Sequence, residues 1–221
     1  MYGSSCALFD TKHTIHSAIL DKEVTVYEKN VSCNQKCVTC KNRILNNDLL
    51  ELLEGIEKLN QKYHGTLELR SAVRHDIILK QKRLFRKIMK YVTRLKVAPE
   101  HIVDSILRLM NKSDKNTFEE FLKEYELINK EQRTHKHLVP YFVAAHPGCT
   151  EKEMHELAKY CKQKGLFVNL TQVFTPTPGT MSTAMYYTSH HPLTKEKISV
   201  ARTFRERKNQ KNILVPSDDE E

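Results

Sequence analysis

The 221-residue chain has no tryptophan, only six glycines and seven prolines, and no apolar run as long as a membrane span. Its N-terminus also lacks the basic, apolar and small-residue succession of a secretory signal. These absences point to a soluble, cytoplasmic protein with no membrane partner. In such a reducing compartment, six cysteines read as thiols or metal ligands rather than disulfides. A hydrophobic content of 39%, with nine Tyr and eight Phe supplying the aromatics, is that of a globular chain rather than a disordered one. The length suits one sizeable core or at most two small domains.

Acidic charge is the scarcer sign, at 27 Asp and Glu against 36 Lys and Arg, a net charge of +9. Excess positive charge attracts polyanions, because phosphate contacts dominate nucleic-acid affinity. Apart from a dense run between Lys195 and Lys211, however, the basic residues are scattered, as on a solvated surface. Nucleic acid is therefore the weaker reading of the charge.

The pattern along the chain divides it into an irregular, cysteine-containing segment 1–47, a strand-and-helix region 48–180 and a basic extension 181–221 with an acidic tail. Within the first, only EVTVYEK (Glu23 to Lys29) alternates like a strand. From Asn47 or Asp48 a helix is predicted up to Gly65, with Leu49, Leu50, Leu52, Leu53, Ile56 and Leu59 as its apolar stripe. TLELRSAV alternates like a strand, IILKQKRLFRKIMKYV like a basic amphipathic helix, and RLKVAPE is a short strand. Two helices are predicted around Ile102 to Asn111 and Phe118 to Lys130. HLVPYFVAAHPG reads as a buried strand, and Thr150 with Glu153 forms a capping box for a helix that closes at Gly165. LFVNLTQVF is the last strand, ending in the turn-rich PTPGT. This alternation predicts parallel β/α construction, with strands near 66–73, 94–98, 138–145 and 166–174 side by side and one sheet edge open. About four β/α steps are present, fewer than a closed eight-fold barrel needs.

Ligands of parallel β/α folds gather where strands end and helices begin. Three such ends read V-R-H-D, A-P-E-H and A-H-P-G. Glu100 and His101 suit proton transfer, although Glu100 equally suits a helix cap. His146, Pro147 and Gly148 fit a ligand-facing loop, in which glycine admits a ligand to the backbone and the next helix offers N–H groups to an anion; an ordinary tight turn fits as well. Arg74, His75 and Asp76 suit an anion site or a cap. Met181 and Met185, beside Tyr186 and Tyr187, read as packing residues.

VSCNQKCVTCKNR places Cys33, Cys37 and Cys40 at the spacing C-x3-C-x2-C. Three thiolates so spaced can hold three corners of an iron–sulfur cluster and leave one iron open. The alternatives are a zinc site with Cys6 as the fourth thiolate and free thiols that are neighbours by chance.

The segments LKVAPEH, LVPYFVAAHPGCT and QVFTPTPGTMSTAMYYT, in this order, resemble the C-terminal half of the YgiQ-type radical S-adenosylmethionine (SAM) proteins. The resemblance runs from Met1-Tyr2-Gly3 to about Lys211. It implies an α/β fold, an incomplete parallel (β/α) barrel of the radical SAM type. It also implies a [4Fe–4S] cluster whose open iron binds SAM, and reductive cleavage of SAM to a 5′-deoxyadenosyl radical that attacks a substrate the resemblance does not name. Glu100, His101, His146, Pro147 and Gly148 would then lie toward the cofactor. In this family the radical SAM C-x3-C-x2-C stands upstream of the region matched here. A second cysteine segment begins near MYG-x-x-C and ends in C-x-N, and Cys6 and Cys40 fit it, so Cys6, Cys33, Cys37 and Cys40 are expected to converge on one metal. The resemblance thus implies a truncated or split member, partnered by a complementary N-terminal half. The alternative is a catalytically inert interaction module with a basic surface and a structural zinc–thiolate site.

Overall fold

The computed structural model describes residues 11–13, 43–45 and 48–215. Cys6, Cys33, Cys37, Cys40 and the strand expected at Glu23 to Lys29 lie outside the described residues. Two short strands, β1 (Thr11–His13) and β2 (Arg43–Leu45), pair antiparallel.

Helices and parallel strands alternate after Asp48. The order is α1 (Asp48–Tyr63), α2 (His75–Ile78), α3 (Lys82–Tyr91), β3 (Arg94–Glu100), α4 (Asp104–Leu109) and α5 (Lys115–Gln132). It continues with β4 (His137–Ala144), α6 (Glu151–Gln163), β5 (Leu170–Val173), α7 (Met181–Thr188) and α8 (Phe204–Leu214). β3 pairs parallel with β4 and β4 parallel with β5, and Val73 adds one parallel bridge to Val97. Space therefore repeats chain order, 73–β3–β4–β5, with no reversal. A doubly wound sheet has a switch point where the order turns back; a singly wound β/α sheet does not.

The strand expected at 66–73 is reduced to that one bridge. Leu67 and Leu69 still alternate inward against the core, as the pattern requires. The Leu69 N–H, however, donates to the carbonyl of Tyr91 at the end of α3, so only Val73 reaches β3, donating to the Lys96 carbonyl. The last strand is also shorter than expected, beginning at Leu170 rather than 166. The single basic helix expected from Ile77 is two helices. His75, Asp76, Ile77 and Ile78 are all buried, and four consecutive buried residues cannot share one face of an amphipathic helix. The chain turns at 79–81, and Leu84, Phe85, Ile88 and Met89 then form the inward face of α3.

One face of the sheet is buried. Leu95 and Val97 of β3, with Phe142 and Ala144 of β4, share a core with α1, α3, α5 and α6, in which Phe85, Phe118 and Phe121 pack ring against ring. The basic residues of α3 are matched by neighbouring acids. Lys82 and Arg86 meet Glu124 of α5, Arg86 also meets Glu131, and Arg83 and Lys87 meet Glu54 and Glu57 of α1. The other sheet face holds the alternate residues Lys96, Ala98, Val139, Tyr141, Val143 and Gln172, which stay partly or fully exposed. All-parallel sheets are ordinarily covered on both faces, so this one is half covered among the described residues.

Candidate functional site

Parallel pairing brings the C-terminal ends of β3 and β4 to one edge, and the chain leaves both strands through a left-handed residue. Glu100 has φ +65° and Ala145 φ +59°, conformations that side-chain-bearing residues adopt at a cost. The turn at Glu100 sends its carboxylate to Lys112, 2.6 Å away, rather than into the cap of α4. His101 is buried, and its Nδ1 accepts the Val103 N–H at 3.0 Å, which leaves the proton on Nε2. That nitrogen faces Cys149 Sγ at 3.6 Å, joining the β3 loop to the β4 loop.

His146 is buried in the neighbouring loop. Its Nδ1 lies 2.8 Å from the Pro147 carbonyl and so carries the proton, while Nε2 accepts from the Ser182 hydroxyl of α7 at 2.8 Å. Phe174, just past β5, sets its ring edge-on to His146 at 5.2 Å. Gly148 has φ +91°, and a Cβ placed there would overlap Leu109 Cδ1. Its missing side chain thus makes room for Leu109 of α4, and its N–H donates to the Ser199 carbonyl at 2.7 Å. Gln210 of α8 clasps the loop from above, accepting from Ala145 N at 3.0 Å and donating to the Cys149 carbonyl at 3.1 Å. Thr150 and Glu153 then form the capping box that starts α6.

The V-R-H-D end lies beside these loops. Arg74 bonds Asp76 at 2.6 Å. Burial pushes the Asp76 carboxyl up, and the Arg74 bond and charge more than offset this, holding it below the ordinary carboxylate range. His75 Nε2 meets Ser113 Oγ at 3.0 Å, while its buried Nδ1 finds no partner among the described residues. Burial lowers His75, His101 and His146 each to about 4, so all three are neutral at pH 7. Burial also pushes Cys149 and Cys161 up to about 12, so both are protonated thiols at pH 7. Among the described residues, no group of three His, Cys, Asp or Glu side chains is arranged for a metal ion.

Glu100, His101, His146, Pro147 and Gly148 therefore share one edge, and their polar groups are largely engaged with the protein itself. Of the residues that engage them, Lys112, Ser199 and Gln210 carry no motif, and Ser182 lies in the PTPGTMSTAMYYT string without having been legible as a partner of His146. Lys96 and Tyr141 on the half-exposed face were legible only as the alternate positions of two strands. Met185 is buried, as a packing residue should be, whereas Met181 and Tyr187 are exposed. No helix of the described residues is long and apolar enough to cross a membrane.

A domain of unknown function, DUF3362, matches residues 169–220, the stretch from β5 through α8. A UPF0313 protein of Clostridium botulinum (strain 657 / Type Ba4) is 39% identical over 199 residues, covering 86% of this chain and 31% of its own length. The chain is similar to UPF0313 proteins over most of its length. The Methanocaldococcus jannaschii UPF0313 protein is 36% identical across 85% of the chain, and that of Thermotoga neapolitana 35% across 97%. The chain spans about a third of the length of these curated UPF0313 relatives, at 31%, 33% and 36%.

Proposed function

We propose that the sheet is part of a radical SAM (β/α) barrel of the YgiQ type, and that its half-covered face is a wall of the barrel interior in the whole UPF0313-type protein. The observation that supports this most is the strand order. Four successive parallel segments lie side by side in chain order, with helices packed on one face and Lys96, Tyr141 and Gln172 on the other. A singly wound sheet closed by further strands would enclose that second face, which removes the anomaly of an all-parallel sheet covered on one side.

Within this reading the edge residues are positioning groups. The Glu100–Lys112 pair and the His146–Ser182 bond fix the directions in which β3 and β4 leave the sheet, and Gln210 holds the second exit in place. Lys96 and Tyr141 point toward the space a substrate would occupy. Among the described residues no group of three His, Cys, Asp or Glu side chains is arranged for a metal, and the resemblance gives the metal to Cys6, Cys33, Cys37 and Cys40. In the family the SAM-cleaving cluster is held upstream of the region matched here, so a cluster on these four thiolates would be a second centre without an open iron. One held by Cys33, Cys37 and Cys40 alone would keep an iron open to SAM. The barrel's remaining strands would come from a complementary N-terminal portion.

A structural zinc held by the same four thiolates is the second reading, favoured by the count of four, which fills a tetrahedral site. Anaerobic purification followed by iron, sulfide and zinc analysis separates the two. The radical SAM reading expects iron and sulfide in wild type, lost in both Cys6→Ala and Cys37→Ala. Loss in Cys37→Ala alone would mean three ligands with an open iron. Stoichiometric zinc without sulfide would replace the radical SAM reading with the structural one, and a folded, metal-free wild type would remove both.

A further inference from the structure

Two strongly basic helices among the described residues, α3 and α8, differ in one respect. The cations of α3 are matched by Glu54, Glu57, Glu124 and Glu131. On α8, the helical repeat sets Phe204, Arg205, Lys208 and Lys211 on one side, opposite the buried Gln210. All four are exposed, Phe204 to 75%, and among the described residues none of the three cations is ion-paired. The segment 195–211 contains seven basic residues against Glu196 and Glu206, and Glu206 is committed to the capping box with Thr203.

An aromatic surface adjoins this face. The Arg202 guanidinium lies over the Tyr186 ring at 5.5 Å and donates to the Tyr187 carbonyl at 3.1 Å, which ties the end of α7 to the start of α8. Tyr187, set edge-on to Tyr186, is 67% exposed. Two large rings thus stand in water beside a row of cations that no acid neutralises among the described residues. From this we infer that the face formed by Tyr187, Arg202, Phe204, Arg205, Lys208 and Lys211 binds single-stranded nucleic acid. The cations follow the phosphates, and the rings stack on unpaired bases. A duplex offers no free base faces to those rings. A membrane surface fits poorly, because the outward side of α8 carries one apolar side chain, far short of an amphipathic helix that inserts. This inference concerns the outer surface and does not depend on the radical SAM reading.

Fluorescence anisotropy of the full chain with a labelled oligouridylate twelve-mer, from 50 to 300 mM salt, tests it. Arg205→Glu with Lys208→Glu should weaken binding at least about tenfold and reduce the slope of log K against log salt by about 1.4, because two phosphates are no longer neutralised. Phe204→Ala should weaken binding about fivefold or more with the slope unchanged, as expected when stacking is removed. Lys123→Glu with Lys159→Glu, exposed on α5 and α6, changes net charge equally and should keep binding within about threefold of wild type. If the charge-reversed pair melts differently from wild type, Arg205→Gln with Lys208→Gln replaces it, with the same slope change of about 1.4 expected. No binding at 50 mM salt, or equal losses from the two charge-reversal pairs, would overturn the inference. So would equal affinity for heparin with no effect of Phe204→Ala, or binding confined to anionic vesicles.

Discussion

His75, His101 and His146 are neutral in the fold because each is buried, and unfolding returns them to an ordinary imidazole near 6.5. Between about pH 6.5 and 4 the unfolded chain therefore binds protons that the folded chain refuses. Stability is fully present above the unfolded value and is lost as pH falls toward the folded one, on the order of 2 kcal/mol per ring at pH 5. Urea titrations from pH 7 to 4.5 should show this fall. His75→Phe, at a site edge-on to Phe118 and Phe121, should flatten the slope by about a third. An unchanged slope would mean that His75 is protonated in the fold. The H-P-G string was legible as a strand-end motif, but its glycine has a different neighbour from the one the motif suggests. Gly148→Ala forces a Cβ against Leu109 at a positive φ and should cost about 2–4 kcal/mol in chemical denaturation, ligand or no ligand. A cost near zero would mean that the space is open to a ligand.

At the scale of elements, periodicity found β3, β4 and α6 because each buries one face continuously. It also found α1, although only Leu50 and Leu53 of the expected stripe are buried and Leu52 and Leu59 are exposed. It failed wherever an element depends on a distant partner. The 66–73 alternation is present in burial, yet a strand also needs a ladder partner along its length, and α3 takes the Leu69 N–H instead. The α2–α3 break follows from four consecutive buried residues, a tertiary demand that no repeat announces. Helix α8 was legible only as a run of charge, and its single buried polar residue, Gln210, holds the β4–α6 loop. Gln210→Leu would leave the Ala145 N–H and the Cys149 carbonyl without their partner in a buried setting. The expected loss is about 2–4 kcal/mol, with faster amide exchange in α8, against about 0.5 kcal/mol or less for Lys208→Ala. Equal effects of the two substitutions would show that the clasp contributes nothing.

At the scale of the molecule, the parallel α/β architecture was legible and its half-covered sheet was not, because coverage depends on which elements face each other. The uncovered face carries Lys96, Tyr141 and Gln172, and the relatives extend over about three times the matched length, since the chain spans 31% of the Clostridium botulinum protein. The central claim is that this face belongs to the interior of a radical SAM barrel. The direct measurement joins the chain to the part of its Thermotoga neapolitana relative that the match leaves uncovered, loads the product with iron and sulfide under anaerobic, reducing conditions, and assays SAM turnover. The account predicts 5′-deoxyadenosine from the joined protein and none from the chain alone. A joined protein that folds and holds iron and sulfide, yet leaves SAM intact, would contradict it.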